Sequence, residues 1–137
     1  MRIARHCENA LKIAEFLSGH NKISWVKYCG LPGDKYYGLG QKYLPRGSCG
    51  VISFGVKGGR ENAERFMQGL KVASIETHVA DARTCCLHPA STTHRQMNDE
   101  ELIKAGVPGD LVRYSCGLEN AKDLIEDIDA ALAALDV

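Results

Sequence analysis

Helical and extended segments alternate along the entire chain, and this alternation limits the folds that are open to it. Apolar residues recur with a helical period over 2–18, 60–70 and 120–135. Runs rich in β-branched and aromatic residues predict strands at 23–28, 49–56 and 111–115. No linker, internal repeat or low-complexity stretch interrupts the pattern. The chain is therefore predicted to be a single domain of the α/β class, built in α+β-type layers.

Shorter segments complete the pattern. Extended stretches are predicted at 74–77 and 83–87, and short helices at 36–44 and 98–105. A length of 137 residues suits one domain, and a hydrophobic content of 45% is sufficient for a core. We therefore expect one sheet of about four or five strands with helices on one face, which leaves the other face to solvent or to another domain.

Composition excludes several classes of function. The formal net charge is zero and the pI is about 6.9, so nothing attracts the chain to nucleic acid or to an anionic membrane. No apolar run approaches the ~20 residues of a membrane span. Charged residues near the start also leave no signal-peptide core. These features predict a cytoplasmic protein.

The cysteines show no spacing that is typical of a metal or disulfide site. Six are present, at Cys7, Cys29, Cys49, Cys85, Cys86 and Cys116. None forms a CxxC pair, so free and mostly buried thiols are predicted, with no metal ligands. The neighbours Cys85 and Cys86 are expected to pack as small apolar side chains on opposite faces of a strand. A thiol or metal protein built on the six cysteines would require at least three of them to converge in space.

A polar cluster precedes the last predicted strand. Its hydroxyls and imidazoles belong to His88, Ser91, Thr92, Thr93 and His94. Such a cluster suits a small anionic ligand, but hydroxyl-rich loops also commonly satisfy their own backbone. Both interpretations stay open on the residues alone.

Arg113 is the only charged residue in the predicted strand at 111–115. Its apolar neighbours place the guanidinium at least partly inside, where desolvation costs several kcal/mol unless a carboxylate pairs with it. The planar fork of arginine suits a carboxylate bidentately. That partner is either a small ligand or a protein acid such as Glu119 or Asp81, and spacing favours neither.

The same residues resemble a known family. The stretches HPASTTH and LVRYSCGLENAKDLIEDIDAAL are similar to the C-terminal part of the Cys/Met metabolism enzymes, which depend on pyridoxal phosphate. The resemblance covers nearly the whole chain, and RHCENALKIAEFL resembles the helix that links the two domains of those enzymes. The stretches KYLPRG and FGVKGGRE most resemble the O-acetylhomoserine sulfhydrylase branch. That branch replaces acetate by sulfide or a thiol at a γ-carbon.

The resemblance implies a fold and a set of roles. It implies the small C-terminal domain of fold type I, with a mostly antiparallel sheet and helices on one side. Arg113 matches the family arginine that binds the substrate α-carboxylate, and Thr92 and Thr93 are weaker candidates for the same pocket. His78 and Ala80 stand where the family usually has a small polar residue and a glycine. The imidazole of His78 is therefore expected to narrow or repolarise the substrate pocket.

The family residues that hold pyridoxal phosphate belong to a large domain, and their motifs do not occur in 1–137. None of the nine lysines lies in the Ser/Thr-rich motif of the cofactor lysine. The first helix begins almost at Met1 without a capping residue, which suggests part of a longer protein. The resemblance thus implies a substrate-carboxylate-binding domain with no cofactor of its own. It is expected to be inactive alone and to work with a large cofactor domain in a homo-oligomer.

Two alternatives stay open beside this interpretation. The chain could be a non-enzymatic interaction module that docks onto a separately encoded large domain. It could also belong to another branch of the family, such as a cystathionine γ-synthase or a methionine γ-lyase.

Overall fold

The computed structural model describes all 137 residues, and its elements follow the predicted order. The elements are α1 (Arg2–Gly19), β1 (Ile23–Lys27), α2 (Tyr37–Tyr43), β2 (Val51–Val56), α3 (Gly59–Gly69), β3 (Ser74–Ile75), β4 (Cys85–Leu87), a 3₁₀ turn (Pro89–Ser91), α4 (Asp99–Lys104), β5 (Leu111–Ser115) and α5 (Ala121–Ala133). Strand β5 has its predicted bounds, and α4 opens on the predicted capping box. The stretches predicted at 74–77 and 83–87 shorten to two and three residues. They shorten because the chain between them leaves the sheet and bonds to the face of β5.

One five-stranded sheet organises the domain, in the order β1-β2-β5-β4-β3. Three neighbouring pairs are antiparallel, and β3 with β4 is the one parallel pair. The mostly antiparallel sheet is therefore confirmed. Strand β5 is central, and Arg113 lies opposite Ser53 of β2 and Leu87 of β4. None of the helices combines the length and the apolar content that crossing a membrane requires.

The main core lies between the sheet and the three long helices α1, α3 and α5. It contains 22 buried apolar residues, among them Phe54 and Tyr114 of the sheet and Phe66 of α3, none of which is exposed to solvent. The rings of Phe54 and Phe66 meet edge to face, with their centroids 5.7 Å apart. Because side chains alternate along a strand, Tyr114 in this core places Arg113 on the opposite face.

That opposite face is open near Arg113 but is not bare throughout. Leu87 and Leu111 alternate onto it and are only 4% and 9% exposed. Ala90 and Leu102, from the segment between β4 and β5, are also buried without belonging to the main core. The expectation of a fully free second face was therefore too simple.

The thiols are free, as predicted, and four of the six are buried. Cys86 belongs to the main core, where its Sγ lies 3.1 Å from Sδ of Met67. Cys85 is buried on the face of Arg113, because it pairs in register with Ser115. Burial raises the pKa of both thiols. Their expected placement on opposite faces of one strand is confirmed.

Candidate functional site

Arg113 lies in the middle of the central strand with its side chain partly buried. Its Nη2 donates a 2.6 Å hydrogen bond to the carbonyl oxygen of Thr77. Its Nε is buried and has no hydrogen-bond partner. A guanidinium carries five N–H donors, so one bond to a neutral carbonyl leaves the whole charge and most donors available to an anion.

No acid of this chain forms an ion pair with Arg113. The alternative partners Glu119 and Asp81 are therefore wrong. Both oxygens of Glu119 accept from Thr84, at 2.7 Å from its backbone N–H and at 2.8 Å from its hydroxyl. Asp81 accepts the backbone N–H of Arg83 at 2.9 Å. That hydrogen bond, supported by the nearby Arg83 and His78 charges, holds the pKa of Asp81 below its ordinary value.

The loop between β3 and β4 lies over the face of β5 that carries Arg113. The carbonyl of Thr77 accepts from Arg113, and the N–H of Ala80 donates to Oγ of Ser115 at 3.3 Å. The carbonyl of Ala80 also accepts from the guanidinium of Arg2 in α1. Sequence reasoning missed Thr77 and Ser115. Alternation placed Ser115 on the face of Arg113, but no local signal shows which loop it meets.

Ala80 holds the one strained backbone position of this loop. Its φ is +56°, and it is the only residue other than glycine with a positive φ. The left-handed region costs an alanine about 1–2 kcal/mol relative to its ordinary conformations.

His78 follows Thr77 directly, so its backbone lies beside the contact of that residue with Arg113. Its side chain is 56% exposed, and Nδ1 lies 3.7 Å from the carboxylate of Asp81. The carboxylate of Glu76 is 4.0 Å from the same nitrogen. The imidazole is therefore held among acidic groups, and it forms no hydrogen bond with Arg113.

The hydroxyl-rich cluster satisfies itself locally. His88 is 1% exposed, and its Nδ1 lies 2.8 Å from Oγ of Ser91. The hydroxyl of Thr92 donates to the carbonyl of His88 at 2.7 Å, and that of Thr93 lies 2.8 Å from Nδ1 of His94. Thr92 and Thr93 are exposed, and neither hydroxyl bonds to Arg113. The cluster follows directly after Leu87, and Leu87 pairs in register with Arg113 on the neighbouring strand.

The nine lysines lie at or near the surface. Eight of the nine are exposed. The other, Lys22, donates to the carbonyls of Leu132, Ala133 and Leu135 at the end of α5. Lys27 shares the face of Arg113, but its ammonium lies over the ring of Trp25, 5.0 Å from the ring centroid. The lysines present therefore do not fit the anchoring of the cofactor.

Comparison with known proteins extends this description. The family model of Cys/Met metabolism PLP-dependent enzymes matches residues 1–133. The chain is 47% identical over 133 residues to O-acetyl-L-homoserine sulfhydrylase of Leptospira meyeri, covering 96% of this chain and 30% of that protein. It is 43% identical over 132 residues to homocysteine synthase of Schizosaccharomyces pombe, covering 96% of this chain and 31% of the relative.

A solved structure agrees with the sequence relatives. The fold matches that of an O-acetylhomoserine (thiol)-lyase described from Campylobacter jejuni, with a TM-score of 0.90 and 38% identity. The match covers 97% of this chain and 32% of that one, whose crystals contain N'-pyridoxyl-lysine-5'-monophosphate. The chain thus spans roughly a third of the length of the relatives it matches.

The sheet, its helical layer and these matches define the fold class, that of a small domain of PLP-dependent enzymes. The chain belongs to the Cys/Met metabolism PLP-dependent enzyme family. The predicted resemblance to its O-acetylhomoserine sulfhydrylase members is confirmed as well.

Proposed function

We propose that this chain is the small, C-terminal, substrate-carboxylate-binding domain of an O-acetylhomoserine sulfhydrylase. The reaction of the complete enzyme would replace the acetate of O-acetylhomoserine by sulfide or a thiol, giving homocysteine or methionine. The observation that carries this proposal is the guanidinium of Arg113, which has a buried Nε without a partner and no ion pair. The names of the relatives support the choice of substrate.

Arg113 would bind the α-carboxylate of the amino-acid substrate through the donors that Thr77 leaves free. The carbonyl of Thr77 holds Nη2 from one side, which limits the rotation of the fork before the ligand arrives. A carboxylate fixed in this way orients the bonds at the α-carbon, so that the C–H bond to be broken has one defined direction. Pyridoxal phosphate supplies the electron sink for the carbanion chemistry when it is bound to the remainder of the enzyme.

The other candidate residues would act on the edge of the pocket. His78 would narrow the approach to Arg113 and add a donor near the carboxylate, because its backbone adjoins the contact of Thr77 with Arg113. Thr92 and Thr93 would contribute only after a change of hydrogen-bond partner, since both hydroxyls are now bonded locally. Their substitution is expected to have smaller effects than that of Arg113.

A cofactor-binding large domain is the proposed partner, within a homo-oligomer. An exposed apolar patch lies on and beside α2, formed by Tyr36, Leu39, Tyr43 and Leu44, whose exposed fractions are 54%, 53%, 66% and 44%. Such a patch on a domain that spans a third of its relatives is typical of a surface that the remainder of a protein covers. The apolar side of α1, in contrast, is buried within this domain.

A chimaera tests the proposal. The matching third of the Leptospira meyeri enzyme is replaced by this chain, and homocysteine formation from O-acetylhomoserine and sulfide is measured. Loss of a charged hydrogen-bonded partner is worth about 1.5–3 kcal/mol, so Arg113→Ala should lower kcat/KM at least roughly tenfold. Arg65→Ala, at an exposed arginine of α3, is the matched control and should change kcat/KM little.

Two results would contradict the proposal. One is an active chimaera in which Arg113→Ala retains kcat/KM within about twofold. The other is turnover by the isolated chain, or an absorbance band of pyridoxal phosphate that survives its dialysis. We expect the isolated chain to be inactive and to bind no cofactor covalently.

The second candidate function is the non-enzymatic interaction module, which the apolar patch at α2 also favours. It predicts that the chain binds a cofactor domain as tightly with Arg113→Ala as without it. It also predicts that Leu39→Asp disrupts that association. Addition of substrate should not alter the binding of either variant to the cofactor domain.

A further inference from the structure

Three potential metal ligands of different chemical type converge beside the Arg113 face. They are Nδ1 of His78, a carboxylate oxygen of Asp81 and Sγ of Cys85, and all lie within 4.8 Å of one another. His78 and Asp81 belong to the loop between β3 and β4, and Cys85 is the first residue of β4. A mixed nitrogen, oxygen and sulfur set suits Zn²⁺ better than Ca²⁺ or Mg²⁺, which prefer oxygen alone.

The nitrogen–oxygen separations of the cluster are close to those of a tetrahedral site. Zinc bonds of about 2.0–2.3 Å place neighbouring ligand atoms about 3.3–3.6 Å apart in a tetrahedron. Nδ1 of His78 lies 3.7 Å from Oδ2 of Asp81 and 4.0 Å from Oε2 of Glu76. A contraction of a few tenths of an ångström brings these nitrogen and oxygen atoms to such separations, and the exposed His78 side chain can supply it by a change of rotamer. Sγ of Cys85 lies within 4.8 Å of Nδ1 of His78 and of the Asp81 oxygen.

The hydrogen bonds around Asp81 and Cys85 leave one atom of each free to bind a metal ion. Oδ1 of Asp81 accepts the backbone N–H of Arg83 at 2.9 Å, so Oδ2 is the oxygen turned towards His78. Such outer hydrogen bonds orient the ligands of metal sites. Cys85 is 2% exposed, and its thiol makes only a weak 3.5 Å contact with the carbonyl of Arg83. A buried thiol with so little engagement is available to a metal ion.

We propose that His78, Asp81 and Cys85, with Glu76 as the fourth ligand, form a binding site for Zn²⁺. Binding converts the Cys85 thiol to a thiolate bonded to zinc and releases its proton to solvent, so affinity rises with pH. The spacing of the cysteines gave no sign of this site, because only one cysteine contributes to it. The proposal is independent of the enzyme function, since every ligand belongs to this chain.

An occupied site would fix the loop over the Arg113 face. The loop already bonds to β5 through Thr77 and Ala80, and the metal would add a link from it to β4. It would also hold the imidazole of His78 on the side of Asp81. Zinc would then make the opening to Arg113 wider and more rigid than a free imidazole does.

Arg83 opposes the metal and offers a specific test. Its Nη2 lies 4.0 Å from Glu76 and its Nε 3.8 Å from Asp81, so its positive charge competes for both carboxylates. Arg83→Gln removes the charge and keeps the backbone N–H that orients Asp81. This variant should therefore bind Zn²⁺ more tightly than the original chain.

The experiment uses the reduced, metal-free 137-residue chain titrated with Co²⁺ as a spectroscopic probe. We expect one equivalent to bind, with a thiolate-to-cobalt charge-transfer band and the intense visible bands of a tetrahedral site, and Zn²⁺ to displace it. Cys85→Ser should remove the charge-transfer band, and His78→Ala and Asp81→Asn should each weaken binding at least about tenfold. Cys29→Ser and His94→Ala are matched controls and should leave the titration unchanged.

Three outcomes would overturn the proposal. They are a charge-transfer band that persists in Cys85→Ser, affinity that is equal in His78→Ala and His94→Ala, and weak visible bands typical of octahedral cobalt. If Cys85→Ser fails to fold by circular dichroism, the exposed His78 and the partly exposed Asp81 decide the matter, because their substitution leaves the core intact.

Discussion

The two faces of the sheet differ in packing, hydrogen bonding and backbone strain. On the helical face, Phe54 and Tyr114 are fully buried among 22 apolar core residues. On the other face, one residue along the same strand, Arg113 keeps a buried Nε without a partner, and Ala80 above it has a left-handed backbone. Three residues depart from this pattern on the helical side: the hydroxyl of Tyr114 and, in α1, Nε2 of His6 and Oδ1 of Asn9 are buried without a hydrogen-bond partner.

The difference separates stability from function. Burial of apolar area on the helical face stabilises the fold at roughly 25 cal/mol per Å², and it does so whether or not a ligand is present. The Arg113 face retains an unpaired charge and a strained loop, which cost stability, and in the proposed function a ligand supplies the missing contacts. The predictions below test this separation.

The largest effect is expected in the core. Phe54→Ala should lower the free energy of unfolding by about 3–5 kcal/mol, because it leaves a cavity between Phe66 and Tyr114. Arg113→Ala on the other face should change it by less than about 1 kcal/mol. Urea unfolding followed by circular dichroism measures both. Similar losses of unfolding free energy for the two variants would refute the idea that only the helical face stabilises the fold.

Substitution of Tyr114, whose buried hydroxyl has no partner, should change the free energy of unfolding in the opposite direction. Tyr114→Phe removes the buried hydroxyl without a partner and should raise the free energy of unfolding by about 1 kcal/mol. The same urea titration applies. A loss of stability would show that a buried water or a rearranged neighbour satisfies this hydroxyl, and the core would then contain no unsatisfied side chain at β5.

The strained loop should gain slightly from its own substitution. Ala80→Gly removes the cost of the positive φ but increases the freedom of the unfolded chain, so the net gain should be about 0.5–1 kcal/mol. Ala82→Gly, in the same loop at an ordinary φ, is the matched control and should lose about 0.5–1 kcal/mol. Equal changes in the two thermal midpoints would mean that Ala80 is not strained.

The smallest effect is a dependence on pH. The backbone hydrogen bond from Arg83 lowers the pKa of Asp81 in the folded chain. A lowered pKa stabilises the fold at pH values above the pKa of the unfolded chain, and this contribution disappears as the pH falls through the folded pKa. Thermal midpoints measured down an acid series should therefore fall slightly more steeply for the original chain than for Asp81→Asn. Parallel curves would argue against the hydrogen bond.

Several features of the site could be predicted from the sequence because they depend on neighbours along the chain. The bounds of β5, the capping box of α4 and the placement of Cys85 and Cys86 on opposite faces are all local. The partner of Arg113 could not be predicted in this way. Glu119 is near it in sequence, yet its carboxylate bonds to Thr84, 35 residues away.

The sequence by itself determined the order of the elements, the face of β5 that carries Arg113, and the resemblance to the family. These follow from periodicity and motif, in which each residue is compared with its neighbours along the chain. Only the tertiary structure decided that Arg113 has no acidic partner, that Thr77 and Ser115 anchor the loop, and that His78, Asp81 and Cys85 converge. These depend on strand pairing and loop placement, which bring together residues that are distant in sequence, and no local pattern specifies those distances.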